Sequence, residues 1–409
     1  MTRVLVTDAG RPSGLAVVRS LGRRGISVVA ADATRRSRAF VSRHADARVV
    51  YPSPEQDAAG ALDAILHAAE SHRVDLVLPV GEDMVVLIAG ARDRFAGIAR
   101  LALPDPEALA VTRDKRRTVE LARQLGIPTP QTSLVETEAE AGVAVEGFSW
   151  PVVLKPQASR RLEPGRNVER FGVAYAATRE QLAARMRRFE GRCAVLLQEY
   201  WPGEGHGVGL LMSGGETVLA FQHRRLREVP YTGGPSSFRE GVPLSSELLD
   251  YSQQLLGALD WTGPAMVEFK VGPRGATLME VNGRLWGSLA LAVKSGVDLP
   301  ARMVDVFLDP DAPADPPELD YRPGVRSRDL GLELSWIGSV LRGAPRYDFL
   351  DAPSRRDGVA ALVKLLDPRD GFDVMTARDP LPGLAELLGL LIEVPARVVR
   401  SERRRRSQA

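Results

Sequence analysis

Two carboxylates, an amide and a guanidinium stand close together in the run AMVEFKVGPRGATLMEVNGRLWGS, residues 265–288: Glu268, Glu280, Asn282 and Arg284. Val267, Phe269 and Val271 alternate with Glu268 and Lys270. Beyond Gly-Pro-Arg-Gly, Met279 and Val281 alternate with Leu278, Glu280 and Asn282. That spacing predicts a β-hairpin with one apolar face and one bearing oxygens. Oxygen ligands on facing strands suit a hard divalent cation such as Mg²⁺, which often shares them with substrate phosphates. Arg284 could meet a phosphate or carboxylate with its planar fork. One condition attaches. A strict four-residue turn at Gly272–Gly275 would pair Val271 with Ala276 and put Glu268 and Glu280 on opposite faces, so an odd-length loop or bulge is predicted around Pro273–Gly275. The plainer reading is an ordinary hairpin with a charged solvent face.

The elements before the hairpin supply cations and polar loops. Asp114-Lys115 opens a predicted helix that Gly126 ends. Pro151–Leu154 reads as a strand delivering Lys155, and residues 157–172 follow as a polar loop with Arg160, Arg161, Arg166 and Arg170. A flexible basic loop beside a strand-end lysine is what a triphosphate needs, and it is also what a solvated surface loop looks like. The apolar strand Ala194–Gln198 runs into Glu199-Tyr-Trp-Pro-Gly-Glu-Gly-His206. Exposed backbone at such a strand end could recognise adenine, and a carboxylate a few residues on could accept ribose hydroxyls. After the strand Thr217–Gln222 come Arg224, Arg225 and Arg227, then Gly233-Gly234 flanked by hydroxyls, which could bind an anion or lie at the surface.

The chain opens with a strand at Arg3, glycines at Gly10 and Gly14, a helix over Leu15–Arg24 and a strand over Ile26–Ala31, a βαβ unit. The dinucleotide fingerprint lacks its third glycine, so NAD is not assumed. Ala58–His72 reads as a helix and Asp75–Val80 as a strand running into Gly81-Glu82-Asp83. Asp8, Gly10, Gly81, Glu82 and Asp83 should lie at the carboxyl edge of this sheet, where ligands bind, although Asp83 could equally cap the next helix. Past Leu308, Pro310–Pro323 reads as a linker, Leu330–Leu341 and Gly358–Leu366 as helices, and Leu384–Val399 as an apolar segment interrupted by Pro395 and followed by Arg403–Arg406. A helix packed on the body with a solvated tail is the commoner explanation, and membrane contact is not expected.

The 409 residues have room for several domains, and 44% hydrophobic residues is ordinary for a soluble protein. A formal charge of +2 implies no global nucleic-acid field. A single cysteine, Cys193, excludes an intrachain disulfide framework, and with no signal peptide a cytoplasmic setting is expected. Basic charge is almost all arginine, so the retained Lys115, Lys155 and Lys270 invite a reason.

In order, Lys115, VVLKP ending at Lys155-Pro156, LLQEYWPGEG, VEFKV and LMEVNGRLWGS resemble the ATP-grasp superfamily, in its carboxylate–amine ligase branch, over about residues 1–307. The resemblance implies a mixed α/β and α+β architecture: a Rossmann-like pre-ATP-grasp domain over 1–112, an ATP-grasp domain of two lobes over 113–307, and a linker with a mostly helical extension over 308–409. It further implies Lys115 and Lys155 on the ATP phosphates. Gln198, Glu199 and Trp201 would form the adenine linker, the latter two by backbone atoms. Glu204 would take the ribose, with His206 its competitor. Glu268, Glu280 and Asn282 would bind Mg²⁺, with Mn²⁺ as a substitute, and Arg284 would stabilise the transferred phosphoryl group. Arg224, Arg225 and Arg227, with Gly233 and Gly234, are candidates for the substrate carboxylate. The loop at 157–172 departs from the family in being richer in arginine than in glycine and serine. The implied activity is ADP-forming ligation of a small-molecule carboxylate to an amine through an acyl phosphate. The alternatives are transfer to a non-amine acceptor, or a nucleotide-binding protein without turnover. A homodimer is also expected from the family.

Overall fold

The computed structural model describes residues 1–161, 168–309, 316–344, 347 and 349–391. Arg166, residues 310–315, Pro395 and Arg403–Arg406 lie outside them.

Apolar runs without a polar face make strands covered on both sides. β1 (Arg3–Val6), β2 (Ser27–Asp32), β3 (Ala47–Val50), β4 (Leu76–Leu78) and β5 (Arg100–Leu101) form a parallel sheet in the order β3-β2-β1-β4-β5. Helices α1 (Pro12–Arg23), α2 (Ala58–Ser71) and α3 (Glu82–Ala89) connect them. Gly14 allows α1 to start hard against the β1 turn, since a Cβ there would sit 2.4 Å from the Asp8 carbonyl oxygen. Asp83 is not a cap. Gly81 takes that position, and Asp83 lies in the first turn of α3.

After α4 (Pro106–Arg113), Asp114 caps α5 (Lys115–Gln124) by accepting from the Arg116 and Arg117 N–H groups. A small lobe follows: β6 (Thr132–Val135), α6 (Glu138–Ala144), β7 (Val152–Pro156), β8 (Arg160–Arg161), β9 (Glu169–Arg170), β10 (Ala174–Ala176), α7 (Arg179–Met186) and β11 (Val195–Glu199). Its sheet runs β10-β7-β11-β6, and β8 pairs only with β9. Val135, Leu154, Phe171, Met186 and Leu197 belong to a core of its own.

The large lobe holds β12 (Glu204–Ser213), β13 (Glu216–Glu228), β14 (Ser236–Gly241), α8 (Ser246–Gly257), β15 (Gly263–Gly272), β16 (Gly275–Asn282), α9 (Leu289–Ser295) and α10 (Leu299–Leu308). The region beyond Leu308 adds β17 (Arg326–Arg328), α11 (Leu330–Leu341), α12 (Arg355–Lys364), β18 (Asp370–Phe372) and a helix over residues 381–391. The large sheet runs β16-β15-β12-β13-β14-β17-β18. The expected helical extension therefore also completes this sheet. RSR and DGF carry no apolar alternation, and buried ion pairs hold them instead: Arg328 with Glu333 at 2.6 Å and with Asp370, and Arg239 with Asp373.

Gly205, Gly207 and Gly209 share one face of β12, over which neighbouring side chains lie flat. Cβ atoms there would meet Arg225 Cδ at 2.9 Å, His223 Cε1 at 2.5 Å and Trp286 Cζ2 at 2.2 Å. Trp286 is fully buried and cannot retreat. Gly209→Ala should therefore cost about 1–3 kcal/mol in urea unfolding. Gly142→Ala, on α6 with open space around it, should stabilise by about 0.5–1 kcal/mol.

Candidate active site

The hairpin turn is tight: Gly272 faces Gly275 and Val271 faces Ala276. The bulge predicted around Pro273–Gly275 is not there. The register shifts instead between Glu268 and Phe269, with Met279 as the extra residue, and Glu268 stands directly opposite Glu280. Neighbours take up the diverted backbone. The Met279 carbonyl lies 3.4 Å from Lys155 Nζ, and the Leu278 N–H donates to Pro128 O at 2.8 Å. Both carboxylates thus face the small lobe, where β7 delivers Lys155.

Cations surround the pair. Arg225 forms an ion pair with Glu268, and Lys115 Nζ lies 3.8 Å from Glu280 Oε2 and 2.9 Å from Ser159 Oγ. The Asn282 amide donates to Glu268 Oε1 at 2.9 Å and accepts from Arg284 at 3.0 Å. Arg284 also approaches Glu82 of the first unit, at 3.6 Å. Burial raises the Glu268 carboxyl, as does the facing Glu280 charge, while Arg225 pulls it down. Burial also works on Glu280, but Lys115, Lys155, Arg225 and Arg284 outweigh it and hold that carboxyl low. Burial pushes the Lys155 ammonium down to about 8. A cleft of about 230 Å³ opens here, lined by Glu82, Lys115, Ser159, Arg160, Glu280 and Arg284.

Among the described residues no group of three or more His, Cys, Asp or Glu side chains gathers in a metal-holding arrangement. The donor set is two carboxylates and an amide oxygen, all on one face, with Arg225 and Lys115 standing against the carboxylates as positive charge. It fits a hard cation that draws its remaining ligands from phosphate and water.

The structure brings Lys115, Lys155, Glu268, Glu280, Asn282 and Arg284 together, and separates others. Cross-strand pairs share a face, and Gly207 is opposite Glu268, so Glu204 and His206 project from the reverse face of β12. There His206 meets Gln222 at 3.2 Å, and Glu204, largely exposed, approaches Arg224 at 3.7 Å. On this alternation neither side chain shares the face of Glu268. Arg224 is on that reverse face too, paired with Glu240 at 2.8 Å. Arg227 pairs with Glu333 and lies 4.8 Å over the Trp336 ring. Of the three arginines only Arg225 faces the cleft, and it is spent on Glu268 and, at 3.0 Å, on Glu228.

Gly233 and Gly234 form the turn between β13 and β14. Gly234 O accepts from Arg225 at 3.3 Å, and a Cβ at Gly233 would sit 2.7 Å from the Tyr175 hydroxyl oxygen. Gln198 is buried and donates to Thr132 Oγ1 at 3.0 Å, and the Glu199 N–H is given to Gln131 O at 2.9 Å. Trp201 stacks under Arg274 at 3.8 Å. Arg160 of the arginine-rich loop binds Asp83 at 2.6 Å, and Arg170 pairs with Asp83 and Glu55, which latches the loop to the first unit. The sequence reading missed Glu228; the glycines at every second position of β12 were the available signal for which side chains face the cleft.

Residues 192–327 match the family described as "ATP-grasp in the biosynthetic pathway with Ter operon". Over that stretch the chain is similar to ATP-grasp proteins. A probable alpha-L-glutamate ligase of Citrobacter koseri is 27% identical over 238 residues, 56% of this chain and 75% of that one. An L-amino acid ligase from Bacillus licheniformis superposes with a TM-score of 0.59 at 17% identity, covering 76% of this chain and 74% of that one. The biotin carboxylase domain dimer of Hydrogenobacter thermophilus 2-oxoglutarate carboxylase, in complex with MgADP, ADP and bicarbonate, gives a TM-score of 0.62 at 17% identity over 80% of this chain and 73% of that one.

Two outcomes follow from the charges. Arg225→Met leaves Glu268 and Glu228 buried without their shared cation, so metal-free protein should lose about 3–5 kcal/mol in denaturant titration. Anionic phosphates favour the charged form of Lys155, which at pH 8.5 is largely neutral beforehand. Mg·ATP binding should then take up protons at pH 8.5 and not at pH 6.5, read by calorimetry in buffers of different ionisation enthalpy, and Lys155→Met should abolish the difference.

Proposed function

We propose that this chain is an ATP-dependent, ADP-forming ligase that joins a small-molecule carboxylate to an amine. The observation that carries this is the directly opposed Glu268–Glu280 pair, with Asn282 beside it, facing Lys115 and Lys155 across the cleft. Mg²⁺, or Mn²⁺ in its place, held by Glu268, Glu280 and Asn282 would supply charge neutralisation on the β- and γ-phosphates. Lys115 and Lys155 bring cationic ends to the triphosphate from two different elements. Arg284 is placed to orient an anion beside them and to offset the charge that develops on the transferred phosphoryl group. In the first step a carboxylate oxygen attacks the γ-phosphorus, the bond to the ADP oxygen breaks, and an acyl phosphate forms. In the second an amine attacks the acyl carbon, phosphate leaves and the amine loses a proton. No side-chain nucleophile is needed.

The names of its relatives make L-glutamate the first acid to test. A cytoplasmic setting agrees with the single cysteine, and no helix among the described residues is long and apolar enough to cross a membrane. A homodimer is proposed by analogy with the biotin carboxylase domain dimer.

The test is ADP and phosphate release from Mg·ATP against a panel of amino acids and other small carboxylates, each with and without an amine. Release should depend on one acid and rise with one amine. Glu280→Gln should lower that rate by at least about a hundredfold with an unchanged melting profile; unchanged turnover would remove the metal-site argument.

A further inference from the structure

With Glu204 on the reverse face, the ribose of a bound nucleotide needs another partner, and the placement of the two ends of the site indicates which. The linker Glu199–Gly203 marks one end, and Glu268 with Glu280 marks the other. Glu228, at the last position of β13, lies between them. Its Oε1 is 3.0 Å from Arg225 Nη1, and the other end of that guanidinium pairs with Glu268. Its Oε2 is 3.4 Å from Lys270 Nζ, which also donates to the Gly203 carbonyl at 3.3 Å. Glu228 is thus one side chain away from the linker and one side chain away from the metal ligands.

It lies over Gly205, where a Cβ would be 3.2 Å from Oε1, so the missing side chain leaves the carboxylate its place on the cleft face of β12. Burial and the Glu228 charge both push the Tyr175 and Tyr200 hydroxyls up, which sets this carboxylate facing the small lobe. Two other carboxylates near the linker are turned elsewhere. Glu199 is held by Arg274 at 2.6 Å at the hairpin turn, and Glu204 is on the α8 side. Each Glu228 oxygen receives one cation and retains acceptor capacity for a hydroxyl.

We infer that Glu228 is the residue that accepts the ribose hydroxyls of ATP, reaching them from β13 rather than from the linker strand. This rests on the nucleotide reading above. The test is calorimetric binding of Mg·ATP, 2′-deoxy-ATP and 3′-deoxy-ATP to the wild type, Glu228→Gln and Glu204→Gln. The wild type should prefer ATP about tenfold over at least one deoxy nucleotide, as expected for a hydrogen bond to a charged acceptor. Glu228→Gln should reduce that preference to within about threefold, and Glu204→Gln should keep it. Should Glu228→Gln fail to fold, Glu228→Asp, which keeps the charge and shortens the reach, is read the same way. Equal wild-type affinity for all three nucleotides overturns the assignment, as does a preference that survives at position 228 or is lost at position 204. No binding of any nucleotide by folded wild type overturns the ligase reading itself, a result distinct from these.

Discussion

Two carboxylates directly opposite each other on a half-buried ribbon repel, and the rest of this structure is arranged around that repulsion. Glu268 and Glu280 face each other because a single bulge at Met279 brings them to one side of the hairpin. Leaving the largely buried Glu268 charge uncompensated would cost several kcal/mol. Compensation comes from separate parts of the chain: Lys115 from α5, Lys155 from β7, Arg225 from β13 and Arg284 from beyond β16. The site therefore exists only when both lobes are in place.

The hydrophobic cores distribute that dependence unevenly. Leu5, Ile65 and Val77 of the first sheet share a core with Val208, Phe269 and Leu278 of the large lobe, and Val4, Leu15 and Val18 share another with Phe221, Trp286 and Leu289. The small lobe packs on itself. Glu268, Glu280 and Arg225 are thus fixed to a large continuous body, while Lys155 belongs to the separately packed lobe. The Lys155 contact to the Met279 carbonyl and the latch of Arg160 and Arg170 on Asp83 are polar contacts joining the two.

Much of this was legible in the sequence, and the reasons for the rest are specific. Unlike β3 and the two-residue β5, strands β1, β2 and β4, helices α1 and α2, the α5 cap at Asp114, α11 and the hairpin all follow from period and capping residues. Their apolar faces are regular, and periodicity reads regular faces. The bulge itself was legible, because two carboxylates expected to share one ligand had to share a face, but its position was not. The groups that meet the backbone there, Lys155 at the Met279 carbonyl and Pro128 at the Leu278 N–H, lie far away in sequence. β17 and β18 were invisible because ion pairs, not apolar alternation, hold them in the sheet.

Arg224, Arg225 and Arg227 show the limit most directly. As a string they look like one anion-binding cluster. On a strand, adjacent residues point to opposite faces, so Arg224 and Arg225 cannot act on the same ligand. Leu226 is then skipped in the pairing of β13 with β14, which changes the register again and turns Arg227 to α11. One arginine pairs with Glu268 and Glu228 in the cleft, one pairs with Glu240 on the reverse face, and one anchors the C-terminal region through Glu333. The same alternation removes Glu204 from the cleft and admits Glu228. A carboxylate placed by a strand is assigned by its cross-strand partner, and Gly207 opposite Glu268 is the pairing that decides it here.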